Sequence, residues 1–454
     1  MKNDQQKFDN AKALFLKGVE ELQLGNWGHA ERALRNSLKI LPLRISTLTN
    51  LIGALIAQEK YAEAWRFVNQ ALPLDPNNAL LYTNIGILHY SEHNLESALL
   101  YLNKAIRMDP ENSAAHLNKG KVLRSLNDID GALEHLRASV RLNPDSAEAK
   151  YSLALCLLLK GEYQSGWALY ESRWKRLTSE KREFNKPLWL GEEEIRGKTI
   201  LLHSEQGLGD SVQFCRYVNS VAELGADITL LVQSSLLPLL QQLPGVTNLI
   251  DSVDLIPSYD FHCPLMSLPL ALEKSVGGIP NPSTYITVSD ETLEKWSKTL
   301  VGHKKPRVAL AWRGNPNMIN DNHRSAKLGE IVQFLSCDID WLCLHHDLTA
   351  DERLLLKSCQ HIKPLLGKNT NLEDAAALCA LSDVVMTVDT SFGHIAGALG
   401  KPTFIMLGHQ SDWRWQLCRN DTPWYPQTRV YRLERDETLA AAASRATQVT
   451  WQSS

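Results

Sequence analysis

ALLYTNIGILHYSEHNLESALLYLNKAIRMDPEN, residues 79–112, runs directly into SAAHLNKGKVLRSLNDIDGALEHLRASVRLNPDS, residues 113–146. Both stretches are 34 residues long and share their landmarks: Gly86 and Gly120, Ala98 and Ala132, Pro110 and Pro144. Working outward, the same beat returns at Gly18, at Ala30 and Ala64, and at Pro42 and Pro76, and Gly166 takes the fifth alanine place. Each unit reads as a pair of helices. The small residues let the two helices approach closely, and the proline stops the second helix before the next unit begins. Residues 11–44, 45–78, 79–112 and 113–146 form four units, and a fifth starts at Ala147. The fifth drifts. Its second helix carries Trp167, Tyr170 and Trp174, and a terminal repeat must cover the open end of its stack, so this drift predicts docking onto the next domain.

A period of 34 with small residues at fixed places is the signature of tetratricopeptide (TPR) repeats, an α-helical solenoid. Asn50, Asn84 and Asn118 hold one slot in three successive units, on the first helix of each pair. An amide offers both a donor and an acceptor, so such a ladder suits an extended polypeptide of any sequence. The same asparagine is also plain repeat consensus, and the sequence leaves both readings open.

The bounds are those of a multidomain chain. Its 454 residues are enough for about three cores. A net charge of −3 gives no electrostatic case for nucleic acid or a polybasic membrane anchor. The polar start MKNDQQKFDNAK has no signal-peptide core, and no apolar run approaches a membrane span. Eight cysteines are scattered without a C-x-x-C pair and mostly within apolar runs, which reads as buried reduced thiols in a cytoplasmic protein.

After about residue 185 the rhythm changes. KTILLH (198–203), the turn SEQGLGDS, a helical stretch from Val212 to Leu224 and the strand DITLLVQ (227–233) make the start of a parallel α/β unit. A second series has strands RVALAW (307–312), WLCLH (341–345), DVVMTVD (383–389) and PTFIML (402–407). GGIPNPSTY (277–285) between them suggests a boundary near 290–305. The expected domains are a repeat arm over 1–175, a first α/β lobe over 176–300 and a second over 301–454. Ligands of open parallel sheets bind beyond the carboxyl ends of the strands, and the notable motifs fall there.

These motifs form an ordered set: GEYQSGWALYESRW (161–174), HSEQGLGDSVQFCRY (203–217), FHCPLMSLP (261–269), WRGNP with NDNHRS (312–325), DTSFGHIAGALGKP (389–402), then DWRWQL (412–417) and DTPWYP (421–426). Together they resemble the heptosyltransferase-like branch of the GT-B glycosyltransferases and its TPR-fused bacterial members. The architecture is also similar to the protein O-linked N-acetylglucosamine transferases and to TPR-bearing flagellin glycosyltransferases. The resemblance covers nearly the whole chain and implies two Rossmann-like lobes.

Gly207 and Gly209 permit a tight turn with exposed amides after the first strand. Asp210 stands at a helix entrance, where by residue type it reads as a helix cap. The resemblance implies instead the base that takes the acceptor hydroxyl's proton during inverting transfer. Gln206 is a candidate for orienting the acceptor or a phosphate. Arg313 and Arg324, supported by Asn315 and Asn322, are candidates to neutralise the departing diphosphate, against the reading of two surface arginines. Thr390, Ser391, Gly393 and His394 open a helix, and the resemblance implies that they hold the donor's diphosphate and sugar, with Asp389 shaping the loop or meeting a sugar hydroxyl. Trp413, Arg414 and Trp415 read equally as a donor-pocket wall or as core. One departure stands out: Leu344-His345-His346 replaces the Leu-Gln pair expected of relatives, near where the nucleotide is approached. His345 and His346 lack a third metal ligand by spacing, and the DID triplets at 128–130 and 338–340 read as solvated loops.

The resulting expectation is a cytoplasmic, inverting glycosyltransferase that needs no metal or other cofactor. It would take a nucleotide sugar and pass the sugar to a protein or peptide hydroxyl recruited by the repeats. The alternatives are a non-catalytic TPR adaptor with a silent GT-B domain, and an enzyme that isomerises the nucleotide sugar itself.

Overall fold

The computed structural model describes residues 2–176, 184–273, 278–302, 305–314, 324–433, 437–438 and 441–445. The chain divides into two compact units, Met1–Leu157 and Leu158–Ser454.

The first unit is built of antiparallel helix pairs: α1 (Lys2–Gln23) with α2 (Trp27–Ile40), α3 (Ile45–Ala57) with α4 (Tyr61–Ala71), α5 (Ala79–Ser91) with α6 (Leu95–Met108), and α7 (Ser113–Ser125) with α8 (Ile129–Leu142). The first helix of the fifth pair is α9 (Ala147–Lys160). Pro42, Pro110 and Pro144 each stand two residues past the end of a second helix, and Pro76 stands five past the end of α4. The periodic alanines Ala30, Ala64, Ala98 and Ala132 have no exposed surface. The glycines explain themselves by contact: a Cβ on Gly18, Gly86 or Gly120 would stand 2.6 Å from Cγ of Leu34, Leu102 or Leu136. Glycine on one helix makes room for leucine on the other. At the equivalent sites of the second pair the volume is shared differently, between buried Ile52 and Val68.

A second regularity lies in the turns. Gly25, Glu59, His93, Asn127 and Gly161 all have left-handed backbones, with φ of 75°, 58°, 59°, 60° and 82°. The next residue's N–H reaches back to close the helix end, Asn26 to Glu21, Lys60 to Leu55, Asn94 to His89 and Asp128 to Leu123. This is a Schellman closure repeated once per unit, and it fixes the angle at which each second helix departs.

The second unit takes in the end of α9 from Leu158 and then α10 (Tyr163–Tyr170), the second helix of the fifth repeat, and contains two parallel sheets. The first has order β3-β2-β1-β4: β1 (Thr199–His203), β2 (Asp227–Leu231), β3 (Asn248–Ile250) and β4 (Phe261–Pro264). The second has order β10-β9-β8-β5-β6-β7: β5 (Arg307–Ala311), β6 (Asp340–Cys343), β7 (Ile362–Lys363), β8 (Val384–Val388), β9 (Thr403–Leu407) and β10 (Thr428–Arg432). Four of the five residues of β1 are buried, as are all five of β9, because helices cover both faces of a parallel sheet. After β1 come α11 (Leu208–Phe214), a 3-10 turn at Cys215–Tyr217 and a further helical segment, Val218–Glu223. The single helix expected from Val212 to Leu224 is thus broken at its middle, where Arg216 turns its guanidinium back onto the Gln213 carbonyl (2.8 Å). Further helices are α12 (Asp290–Thr299), α13 (Ala350–Ser358), α14 (Leu372–Ala380) and α15 (Ser391–Ala398).

Within this unit Trp167 of α10 meets Phe214, Trp413 and Trp424 edge to face, with ring centroids at 5.8, 5.2 and 6.5 Å. Tyr163 receives a hydrogen bond from Gln416 (2.9 Å). The aromatic residues that break the repeat pattern therefore serve the α/β unit. All eight cysteines are free thiols, five of them buried; Cys337 and Cys418 are exposed and so depart from the expected burial. Burial pushes the thiols of Cys215, Cys343 and Cys379 up to about 12.

Candidate active site

A cavity of about 480 Å³ opens at the carboxyl ends of the strands of both sheets. The turn after β1 contributes Gln206, Gly207, Gly209 and Asp210, and the segment after β5 contributes Arg313 and Arg324. Residues 344–347 come from the end of β6, and Asp389, Thr390, Ser391 and His394 from the β8–α15 turn, with Asp412 and Arg414 completing the wall. Eleven of the candidate residues, Arg414 included, thus meet in one place. Gly393 lies behind the wall, where a Cβ would stand 3.1 Å from Ile405. Trp413 is buried in the aromatic cluster rather than in the cavity lining. Asn315 and Asn322 fall outside the described residues.

The asparagine ladder belongs to the first unit. Asn50 and Asn118 each donate to a carbonyl one turn back, Ser46 and Ala114, at 2.8 Å. Asn84 is buried and donates to the Thr49 carbonyl of the preceding repeat at 3.0 Å. Each amide therefore has one N–H engaged within the scaffold.

Asp210 is the third residue of α11. One carboxylate oxygen accepts the Gly207 N–H (2.9 Å), tying off the helix start, and the other is ion-paired with Arg414. The Arg414 guanidinium also donates to Asp412 (2.8 Å) and to Gln213 Oε1 (2.7 Å), and lies over the Trp413 ring at 4.3 Å. Burial raises the Asp210 carboxyl above its ordinary range; Arg414 opposes the rise and Asp412 adds to it. Gln206 donates to the Tyr170 hydroxyl (3.3 Å), and its carbonyl accepts from Gln233 (2.8 Å). Gly209 lets α11 approach α15: a Cβ there would stand 2.8 Å from the His394 ring and 3.5 Å from Ser391 Cα.

Arg313 is gripped by two carboxylates that the sequence did not single out. It donates to Glu352 (3.0 Å) and to Asp347 (3.0 Å), and Glu352 also accepts the Trp312 indole N–H (2.7 Å). Burial would raise both carboxylates, but their hydrogen bonds to Arg313 carry them below their ordinary values. His345 is buried, and its Nε2 accepts the backbone N–H of Trp312 (3.1 Å). Burial, and then the Arg313 charge, push this imidazole down to about 3, so it stays neutral.

At the β8–α15 turn, Thr390 caps the helix by accepting the Phe392 N–H (3.3 Å), and its hydroxyl meets that of Thr387 (3.0 Å). The start of α15, at Thr390, Ser391 and Phe392, thus lines the cavity with the positive end of a helix, an arrangement suited to an anion. Burial and then the nearby Asp412 push the Asp389 carboxyl up to about 6. His394 Nδ1 hydrogen-bonds the Tyr425 hydroxyl (2.9 Å), and the ring stacks on Trp415 at 5.4 Å. Burial and then Arg414 keep this imidazole neutral. Among the described residues no group of three or more His, Cys, Asp or Glu is placed to hold a metal ion. The same residues include no helix long and apolar enough to cross a membrane.

Residues 83–142 and 117–174 match a tetratricopeptide repeat model, and residues 321–447 match Glycosyltransferase family 9 (heptosyltransferase). The chain is 26% identical over 325 residues to Protein FlbA of Caulobacter vibrioides, an alignment covering 64% of this chain. It spans about half, 52%, of that relative's length. Among solved structures, a glycosyl transferase family 9 protein from Veillonella parvula aligns over 57% of this chain and 92% of its own (11% identity, TM-score 0.43). A thermophilic TPR protein of Thermus thermophilus aligns over 37% of this chain and 92% of its own (21% identity, TM-score 0.33). The chain therefore combines TPR repeats with a domain of the glycosyltransferase type.

Proposed function

We propose that the two sheets are the two lobes of a GT-B fold, and that the cavity transfers a sugar with inversion from a nucleotide-sugar donor to an acceptor hydroxyl. The observation that carries this reading is the convergence of Asp210 from one sheet with the β8–α15 turn of the other on a single cavity. The acceptor oxygen attacks the anomeric carbon and yields its proton to Asp210. The bond from that carbon to the diphosphate breaks, and its electron pair leaves with the nucleotide. Arg324 and the amides of the α15 start face the growing phosphate charge. Arg313 meets the donor as part of its set with Asp347 and Glu352. Charge neutralisation rests on these groups, so chelating agents leave turnover unchanged. The TPR repeats point to a protein acceptor, and free thiols fit a cytoplasmic site of action.

The test is a panel of nucleotide sugars assayed for transfer and hydrolysis with the wild type and Asp210→Asn. Turnover of one donor that the variant loses while still binding it supports the reading. Retained turnover removes Asp210 as the base. Binding of a donor without turnover by the wild type favours the silent adaptor, and isomerised donor favours the third alternative.

A further inference from the structure

One connection crosses the cavity: the arginine that reaches Asp210 from the other sheet's half of the unit. Arg414 lies 204 residues after Asp210. Its guanidinium is held on three sides, by Asp210, by Asp412 at 2.8 Å and by Gln213 at 2.7 Å, and Trp413 covers one face. The segment that carries it is itself braced. Trp413 packs on Trp167 of α10, Gln416 donates to Tyr163, and Gln416 and Cys418 adopt left-handed backbones (φ 51° and 56°). Such conformations persist in non-glycine residues only where the surroundings over-determine them.

Resting on the glycosyltransferase reading, we propose that Arg414 is the positioning residue for the base: it fixes the Asp210 carboxylate at the cavity wall and sets its charge from across the site. Stability alone is a poor reason for this arrangement. A buried ion pair replaced by well-packed apolar groups is commonly no less stable. Here, moreover, two carboxylates share one cation, leaving a net negative charge beside the site. That surplus suits a proton acceptor: the cation anchors Asp210 without neutralising the cluster, and the arriving proton completes the balance. With Gly207 N–H on one oxygen and Arg414 on the other, the carboxylate cannot rotate away between turnovers. The charged groups acting on Asp210 are Arg414, Asp412 and Glu205, and neutral His394 lies across Gly209.

The experiment tracks the Asp210 carboxyl carbon by NMR in the full chain labelled with ¹³C-aspartate, the resonance being assigned by its loss in Asp210→Asn. In Arg414→Gln the titration midpoint rises by at least one pH unit, a tenfold gain in proton affinity. Arg414→Lys, which keeps the charge but loses the fork, shows a smaller rise. Asp412→Asn moves the midpoint down, because one raising charge is gone and the cation is no longer shared. A merely structural arginine predicts unchanged midpoints in both Arg414 variants, and that result overturns the proposal while leaving the glycosyltransferase reading intact. If Arg414→Gln fails to fold, Arg414→Lys decides alone, since it keeps the cation. With the donor identified by the panel, the acidic limb of kcat/KM moves with the midpoint in each variant. Turnover that survives in Asp210→Asn overturns the base itself and, with it, the role assigned to Arg414.

Discussion

Asp210 serves two structures at once, closing the start of α11 and facing the cavity. The N-cap itself is Gly207, and Asp210 ties it off from the third helical position, which leaves its other oxygen toward Arg414. At this scale the cation proposed to face the phosphates is open to direct test: Arg324→Ala should weaken binding of a nucleoside diphosphate about 10- to 100-fold, the worth of a charged hydrogen bond, read by calorimetric titration. His345 gives a second prediction. Its folded pKa of about 3 lies below the ordinary value of 6.5, so the unfolded chain takes up this proton first. The stability it contributes is present above pH 6.5 and is lost as pH falls toward 3. His345→Gln, whose amide oxygen can still accept the Trp312 N–H, should shrink the loss of unfolding free energy between pH 7 and pH 5 by about 2 kcal/mol, read from urea titrations at the two pH values. The cavity residues were legible in the sequence because parallel sheets bring the ends of their strands together. What the sequence hid were partners set by tertiary distance. Asp347 and Glu352 lie more than thirty positions from Arg313, and nothing in their own surroundings marks them as its ion-pair partners.

Elements were legible in proportion to their periodicity. Helices α3, α5, α7 and α9 start at the first residue of their units and the six apolar strands lie within two residues of where the pattern puts them, whereas α1 starts at Lys2, nine residues ahead of the first unit. The strands left unread were β3, β4, β7 and β10, the four edge strands of the two sheets: three are short runs, and the fourth, TRVYR, has only Val430 and Tyr431 as an apolar signal. The repeated left-handed turn was also invisible, because Glu59 and His93 are not residues that announce such a backbone. It carries its own prediction. A left-handed β-carbon costs roughly 1–2 kcal/mol, and glycine's greater chain entropy returns roughly 0.5–1 of that. Exposed Glu59→Gly should therefore raise stability by about 0.5–1 kcal/mol, whereas Gly120→Ala, forced against Leu136, should lower it by about 1–3 kcal/mol. Chemical denaturation of the full chain checks both signs. For α10, Trp167→Ala removes the common centre of three ring contacts and should cost about 3–5 kcal/mol in the α/β unit. The same variant loosens Trp413, so transfer should fall along with the melting temperature.

The molecule as a whole divides into a unit of local contacts and a unit of distant ones. Scanning calorimetry should resolve two transitions rather than one. A nucleoside diphosphate at a hundredfold excess over its Kd should stabilise only the second, by about 2.7 kcal/mol. A single transition that moves as one with ligand would mean that the repeats and the sheets unfold together. The two units also differ in when they can form. Repeats fold from neighbours in sequence, whereas the carboxylate and its cation are 204 residues apart. On the ribosome the repeats are complete while β8, α15 and Arg414 are still unmade, so under the proposed function the capacity to hold a partner precedes the capacity to modify it. On that reading, a message cut short anywhere between the two would leave a decoy: a chain able to occupy the proposed acceptor and unable to release it changed.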